Sequence, residues 1–420
     1  DQEAERQRIM NLLGRAFGAN GFVPIDTPIL EYTEILLGKG GGDTDKQIYR
    51  FEDQGGRDVA MRYDLTVPFA RFMAAHLHEL YLPFKRFHMG KAFRGENTQR
   101  GRYREFVQCD FDIVGTTSAS ADFEIVLMID RAFRTMGVDG VRVHFAHRGV
   151  FNALLESLAI TEGADEVLRI VDKLRKIGEQ KVRDQLTELI GSDPAEKVLT
   201  LVSASGTNAE ILATMKSLVP GAAEHTDRIE QILTAAEALG LADRLALDPS
   251  ITRGLDYYTG IVFETFLVDL PAIGSVCSGG RYDNLAGLYT KEQLPGVGAS
   301  IGLDRLMAGL EELGLSALDV RAADAIVLCL DAGLMAHYHA VAEQLRAAGL
   351  RAEVFPDQKK LGQQFSFAEK KGIPAAILCG EAEHAVGAVN VRDLTTRTNT
   401  DGISVETAID VVRGICGAGK

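Results

Sequence analysis

The stretch from Phe84 to Gly115 reads FKRFHMGKAFRGENTQRGRYREFVQCDFDIVG, and at both ends apolar and polar residues alternate with a period of two. A β-strand sends successive side chains to opposite faces, so the pattern is that of two neighbouring strands joined by a polar loop. In the second run one face carries Tyr103, Glu105, Val107, Cys109, Phe111 and Ile113 and is mostly core. The other carries Arg104, Phe106, Gln108, Asp110 and Asp112. Donors and acceptors around one aromatic ring are costly to bury without partners. They suit a ligand surface or the water-facing side of an antiparallel sheet. The first run favours the ligand surface. Its period-two set, Phe84, Arg86, His88, Gly90, Ala92 and Arg94, ends in an arginine beside small residues that leave room. A guanidinium fork matches phosphate oxygens in pairs, and a neighbouring phenylalanine offers a face to a planar base.

The chain as a whole is acidic, with a net charge of -14 over 420 residues, which argues against nonspecific adhesion to nucleic acid. Between Tyr81 and Arg104, however, seven Lys or Arg stand against the single carboxylate of Glu96, so a specific, locally basic site remains open. With 46% hydrophobic residues the chain is globular and long enough for two or three domains. No apolar run approaches the roughly 20 residues of a membrane span. The opening DQEAERQRIM lacks the layout of a signal peptide, and the expected location is the cytosol. Five widely spaced cysteines without a CxxC indicate neither a disulfide framework nor a zinc site, and no protein-bound metal is expected.

Residues 1 to 148 alternate helical patterns with short apolar runs, and GFVPIDTPILEY reads as extended backbone after a helix. A glycine loop at 38 to 42 precedes a hairpin turning at Asp53 to Gly56. From 149 to 245 the apolar residues, such as Val167, Ile170, Val171, Leu174 and Ile177, recur at helical spacing, the sign of a packed helical module. Strand character returns in ITRGLDYYTGIVFETFLVDL and SVCSGGRYDNL, before the glycine-rich GVGASIGLDRLMAGLEEL enters a helix. Beyond a linker near 315 to 324, strands and helices alternate to 420 as in a small α/β domain.

FRGE followed by GRYREF resembles motif 2 of the class II aminoacyl-tRNA synthetases. Pro28 in VPIDTPIL resembles the motif 1 proline, and GVGASIGLDRL is similar to motif 3. RGLDYYTG at 253 to 260 and CSGGRYDNL at 277 to 285 resemble the two peptides that mark histidyl-tRNA synthetases. MRYDLTVPFARF and QCDFDIVG look more like the archaeal and eukaryotic branch of that family, the common bacterial form carrying Glu at Asp64 and Asp112. The likeness implies an α+β fold: an antiparallel sheet flanked by helices (1–148 and 246–318), a helical insertion (149–245) and a C-terminal α/β anticodon-binding domain (324–420).

The resemblance also implies roles. Arg94 and Arg305 would hold the phosphates of ATP, which enters with Mg2+, while Glu96 positions the nucleotide and Phe106 stacks on adenine. Arg253 would lie at the α-phosphate and beside histidine. Asp64, Thr66 and Gln108 would bind the α-amino group of histidine, Asp112 and Tyr258 would bracket its imidazole, and Tyr257 and Tyr282 would complete the pocket. Asn97, Gln99, Arg100 and Arg102 would face the acceptor end of histidine tRNA, although Asn97 departs from the arginine that many bacterial members carry there. A homodimer is implied, because motif 1 builds the subunit interface in this class. In the C-terminal domain Arg351, Lys359, Lys360, Lys370 and Lys371 are candidates for RNA contact, or ordinary solvated residues. Two functions compete: an ATP-dependent ligase joining histidine to its tRNA, and a regulatory paralogue without ligase activity. Retention of Arg94, Arg253, Arg305 and a full C-terminal domain favours the ligase.

Overall fold

The computed structural model describes residues 2–37, 47–161, 163–252, 258–283, 285–316 and 321–417. One compact unit spans Gln2–Ser316 and a second the chain from Ala317 onward. The first unit contains β1 (Val23–Pro24), β2 (Leu30–Tyr32), β3 (Arg50–Glu52), β4 (Asp58–Met61), β5 (Phe84–Phe93), β6 (Glu105–Val114), β7 (Val141–His147), β8 (Leu245–Leu247), β9 (Ile261–Leu267), β10 (Cys277–Tyr282) and β11 (Gly296–Gly302). Eight of them form one sheet in the order β1-β5-β6-β11-β10-β9-β7-β8, and β2-β4-β3 form a small second sheet. Every neighbour from β5 to β7 is antiparallel, while the short edge strands β1 and β8 pair in parallel.

One face of the large sheet is dry. Val107, Cys109, Phe111 and Ile113 of β6, Val297 and Ile301 of β11 and Phe263 of β9 are all at most 5% exposed. They share a core with Ile9, Leu13 and Phe17 of helix Gln2–Gly18 and with Ile125, Ile129 and Phe133 of helix Ala119–Thr135. The latter helix starts where the Ser118 side chain accepts a hydrogen bond from Ser120 N, and its apolar residues recur every three or four positions. It ends at Gly137, whose φ of 78° lies in the left-handed region that favours glycine. Full burial of each such Phe or Ile contributes roughly 1.5–3 kcal/mol.

Between β7 and β8 runs a series of helices from Arg148–Ser157 to Ala223–Ala238, whose Val167, Ile170, Val171 and Ile229 join the same core. A capping box begins the helix Asn208–Leu218: Thr207 N donates to Glu210 Oε2 at 2.7 Å, and Glu210 N donates to Thr207 Oγ1 at 3.3 Å. The series is also bonded electrostatically to the sheet. Asp122 is fully buried and accepts from Arg281 Nη2 of β10 at 2.6 Å and from Arg228 of helix Ala223–Ala238. The glycine-rich GVGASIG does not open the following helix. It is the central strand β11, and the helix begins only at Leu303.

The second unit holds β12 (Ala325–Val327), β13 (Ala352–Val354), β14 (Ala375–Leu378), β15 (Val389–Asp393) and β16 (Asn399–Ile403), ordered β13-β12-β14-β15-β16. Its first three strands are mutually parallel, and the last two add in antiparallel fashion. Val341, Leu345 and Val412 cover one side, and Phe355, Ala368 and Ile373 pack together in a separate cluster with Ile326 and Leu328.

Replacing Asp122 by Ala removes the buried carboxylate shared by Arg281 and Arg228 and leaves Arg281 only Asp283 Oδ1 at 3.5 Å as an anionic partner among the described residues. We expect a loss of about 3–5 kcal/mol in equilibrium denaturant unfolding, with the midpoint of the Gln2–Ser316 unit moving first.

Candidate active site

Register decides which side chains of the sheet stand together. Gly90 of β5 lies opposite Gln108 of β6, and Arg86 opposite Asp112. Across β6 and β11, Asp112 faces Gly298, Asp110 faces Ser300 and Gln108 faces Gly302. Directly opposed residues share a face, so these side chains form one row of polar groups on the side away from the helical core. That side is not wetted: Asp110 and Asp112 are 1% and 3% exposed, Gln108 9%, and Arg86 fully buried.

At one end of the row the Arg86 guanidinium lies 2.8 Å from Asp112 Oδ2 and 4.1 Å from the centre of the Phe69 ring. The Tyr282 hydroxyl donates to Asp112 Oδ1 at 2.7 Å. Burial raises the pKa of Asp112, and the neighbouring guanidinium and phenol oppose the rise. Asp110, 3.9 Å from the same guanidinium, is less well compensated, and burial pushes it to about 7. Glycines make room for this cluster. A Cβ on Gly298 would sit 2.0 Å from Asp112 Oδ1, one on Gly296 2.5 Å from the Tyr282 ring, and one on Gly280 2.9 Å from the Tyr258 ring. The low strand propensity of glycine is therefore tolerated in β10 and β11 because side chains from neighbouring elements occupy its volume.

Next along the row, Gln108 Nε2 donates to Ser300 Oγ at 2.8 Å, and Ser300 bonds Asp110 in turn. That chain orients the amide so that Gln108 Oε1 is a buried acceptor without a hydrogen-bond partner among the described residues. Asp64, 1% exposed, caps the helix Thr66–His76 by accepting from Val67 N at 3.2 Å, with Thr66 as the first helical residue. Beneath it Arg62 donates Nε to the Lys91 carbonyl at 2.8 Å, and His88 Nε2 lies 2.8 Å from Asp26 Oδ1. Burial, with Arg86 and Arg62 nearby, depresses the pKa of His88 to about 4, so the ring is neutral.

Beyond Gln108 the sheet opens into a cleft of about 150 Å³, partly open to solvent and lined among others by Arg94, Glu96, Arg102, Phe106, Gln108 and Arg305. Arg94 Nε donates to the Tyr63 carbonyl at 2.9 Å, and its guanidinium lies 5.0 Å from the centre of the Phe106 ring. Arg305 Nη1 donates to the Ser275 carbonyl at 2.8 Å. Burial and the charges of Arg102 and Arg94 lower the pKa of Arg305, a strain that an anion in the cleft would relieve. The loop between β5 and β6 turns back at Gly101, φ 68°, whose Cα sits so close to Arg305 that a Cβ would come within 2.9 Å. Here Arg102 pairs with Glu96, and Arg100 with Glu312 at 2.8 Å. Asn97 and Gln99 are exposed, and Gln99 exchanges backbone hydrogen bonds with Arg102. Arg253 and Tyr257 lie outside the described residues.

A model of the histidyl-tRNA synthetase family matches residues 1–306, and one of the anticodon-binding domain matches 324–415. The chain belongs to the histidyl-tRNA synthetase family. It is 52% identical over 379 residues to the histidine–tRNA ligase of Treponema denticola, covering 88% of this chain and 84% of that protein. With the histidine–tRNA ligase of Rhodopirellula baltica it shares 49% over 402 residues, 94% and 91% of the two chains. The crystal structure of histidyl-tRNA synthetase from Nostoc sp. PCC 7120 superposes with a TM-score of 0.87 at 32% identity, covering 99% of this chain and 96% of the other.

Of the residues singled out in the sequence, the structure brings Arg94, Glu96, Arg102, Phe106, Gln108 and Arg305 to one cleft. Asp112 and Tyr282 meet farther along the same sheet face, apart from the residues that line the cleft, with Tyr258 against Gly280. Sequence reasoning gave no role to Arg86, His88, Arg62, Asp110 or Ser300; alternation alone put Arg86, His88 and Asp110 on the right face. Within the GGRYD peptide the roles divide. Tyr282 points to Asp112, whereas Arg281 turns to the helical layer and Asp122. In the second unit Arg351, Lys359 and Lys371 are paired with Asp324, Asp357 and Glu353, and Lys360 and Lys370 are exposed.

Gly298→Ala places a methyl group in the space of the Asp112 carboxyl. It should lower stability by about 1–3 kcal/mol, seen in thermal unfolding, and a crystal structure of the variant should show Asp112 rotated off Tyr282.

Proposed function

We propose that this protein is a histidine–tRNA ligase: it activates histidine with ATP to histidyl-adenylate, releasing pyrophosphate, and transfers the histidyl group to the 3′ end of histidine tRNA. The observation that carries the reading is a single sheet face with a buried carboxylate–phenol pair at one end, Asp112 and Tyr282, and three guanidinium groups converging on an open cleft at the other. An imidazole has two ring nitrogens that donate or accept, and a carboxylate with a phenol recognises both, Asp112 at one nitrogen and Tyr258 at the other. Tyr282 and Tyr257 complete that pocket. The α-ammonium has three donors, which suit Asp64, Thr66 and the unpartnered oxygen of Gln108.

In this reading ATP, taken with Mg2+ as substrate, stacks its adenine on Phe106 and sets its phosphates against Arg94 and Arg305, with Glu96 released from Arg102 to position the nucleotide. The histidine carboxylate attacks the α-phosphorus, the P–O bond to pyrophosphate breaks, and negative charge builds on the phosphoryl oxygens. Fixed guanidinium groups, Arg253 among them, stabilise that charge without reorganising. A ribose hydroxyl of the tRNA then attacks the acyl carbon, and AMP leaves. Asn97, Gln99, Arg100 and Arg102 meet the acceptor end, and the domain from 324 to 420 meets the anticodon.

The active form is a homodimer in the cytoplasm. Leu30, Tyr32 and Phe51 are 49%, 45% and 45% exposed and pair with Met61 and Val59 on one face of the small sheet, an apolar patch that a second copy would cover. Among the described residues no helix is long and apolar enough to cross a membrane.

Exchange of labelled pyrophosphate into ATP, without tRNA, is expected with histidine and with no other amino acid; absence of exchange from a folded dimer would favour a regulatory role. Arg253→Ala and Arg305→Ala should each slow the exchange by about 10² or more with unchanged circular dichroism. Removal of 324–420 should spare exchange while crippling tRNA charging.

A further inference from the structure

The most thoroughly buried cation of the site has no part in the roles above. Arg86 is fully buried under Phe69, which stacks on it at 4.1 Å, and its guanidinium meets Asp112 Oδ2 at 2.8 Å. The second oxygen of Asp112 already accepts from Tyr282 at 2.7 Å. Arg86 and Asp112 form an ion pair without a hydrogen bond: among the described residues neither the guanidinium nitrogens nor Asp112 Oδ2 has a hydrogen-bond partner, so that oxygen keeps acceptor capacity for a ligand.

Resting on the histidine-ligase reading, we propose that Arg86 is a specificity-determining positioning residue. Through Asp112 it obliges the pocket to take a ring that presents an N–H at that point. A site whose buried acceptor must find a donor rejects rings that lack one, because the acceptor is otherwise left unpaired. Asp110 is the complement of this arrangement. It lies 3.9 Å from the same guanidinium, feels the charge of Arg62 as well, and is bonded through Ser300 to Gln108.

The groups facing Asp112 are Arg86 and His88 from β5, Asp110 from β6, Tyr282 from β10 and Tyr258 from the segment before β9, with Asp64 and Arg62 beyond Asp110. Between pH 6 and 9, a window set by the experiment at about those values, His88 stays neutral, since its pKa is depressed to about 4, and Tyr282 stays protonated, since its pKa is raised well above the usual value. Burial raises the pKa of both Asp110 and Asp112, and the Arg86 charge opposes the rise at each. Loss of the Arg86 charge raises the pKa of Asp112, so its carboxylate form, and with it the demand for an N–H donor, returns as pH rises.

The test is calorimetric binding of histidine to the full-length protein from pH 6 to 9, beside pyrophosphate exchange, for wild type, Arg86→Met, Arg86→Lys and Asp112→Asn. Taking the ratio of each variant to wild type cancels the titration of histidine itself. Arg86→Met should weaken histidine binding by about 10-fold or more at the acid end, the ratio shrinking as pH rises, with KM for ATP moving by less than about twofold. Arg86→Lys keeps the charge without the fork and should show a smaller ratio of the same sign; it carries the test if Arg86→Met does not fold. Asp112→Asn cannot ionise and should weaken binding with no pH slope. A flat ratio near one for the Arg86 variants, or an equal loss for histidine and ATP without pH dependence, overturns the inference alone. A wild-type chain that binds no histidine overturns the ligase reading and the inference with it.

Discussion

A guanidinium charge taken completely out of water is tolerable only when it is paired, and the ion pair of Arg86 with Asp112 is where this structure meets that condition. Much of the surrounding architecture follows from it. The pair exists because β5 and β6 align Arg86 with Asp112. It is roofed by Phe69 of helix Thr66–His76, fixed from the other side by Tyr282, and given space by Gly298, where any side chain would collide with the carboxyl. Five elements, β5, β6, β10, β11 and the helix Thr66–His76, are thus committed to one charge pair. A shift in the register of any of them by one residue would put apolar side chains in its place.

The opposite face has no such constraint, and it is there that the sequence was easiest to read. Val107, Cys109, Phe111 and Ile113 alternate with polar neighbours, and all four are core. Helical spacing in the segment from 149 to 245 likewise marks Val167, Ile170 and Val171, which are buried. Such patterns are local consequences of a two- or 3.6-residue period. On the polar face alternation identified Arg104, Phe106, Gln108, Asp110 and Asp112 as a set but left open whether water or a ligand met them. The answer depends on helix Thr66–His76 and strands β10 and β11, contributed by residues distant in the chain.

What stayed illegible has a common cause: each missed feature needs a partner from elsewhere. The glycine-rich segment with Gly296 and Gly298 read only as the entry to a helix; glycine disfavours strands, and the Tyr282 ring and the Asp112 carboxyl explain a strand there. Arg281 belongs to a peptide that marks the family, yet its side chain faces away from Tyr282 and holds Asp122 in the helical layer. A motif read as one unit therefore serves two purposes on the two sides of one strand, since successive residues of a strand point in opposite directions.

The same geometry explains why one strand can serve both ends of the proposed substrate. Phe106, Gln108 and Asp112 lie on one side of β6, and with a rise of about 3.3 Å per residue the six steps from Phe106 to Asp112 span about 20 Å. Under the proposed roles that strand sets the distance between adenine, α-ammonium and imidazole, so the length of an extended aminoacyl-adenylate is written into the backbone and not into flexible loops. The pairing of β6 with β5 and β11 along its length makes the spacing rigid. An inserted residue in β6 would break all three contacts together, because it would move Asp112 along the strand and turn it to the dry face. Discrimination at the imidazole and alignment at the phosphate are thereby one structural property, held by the hydrogen-bond ladder on which Arg86 and Asp112 sit.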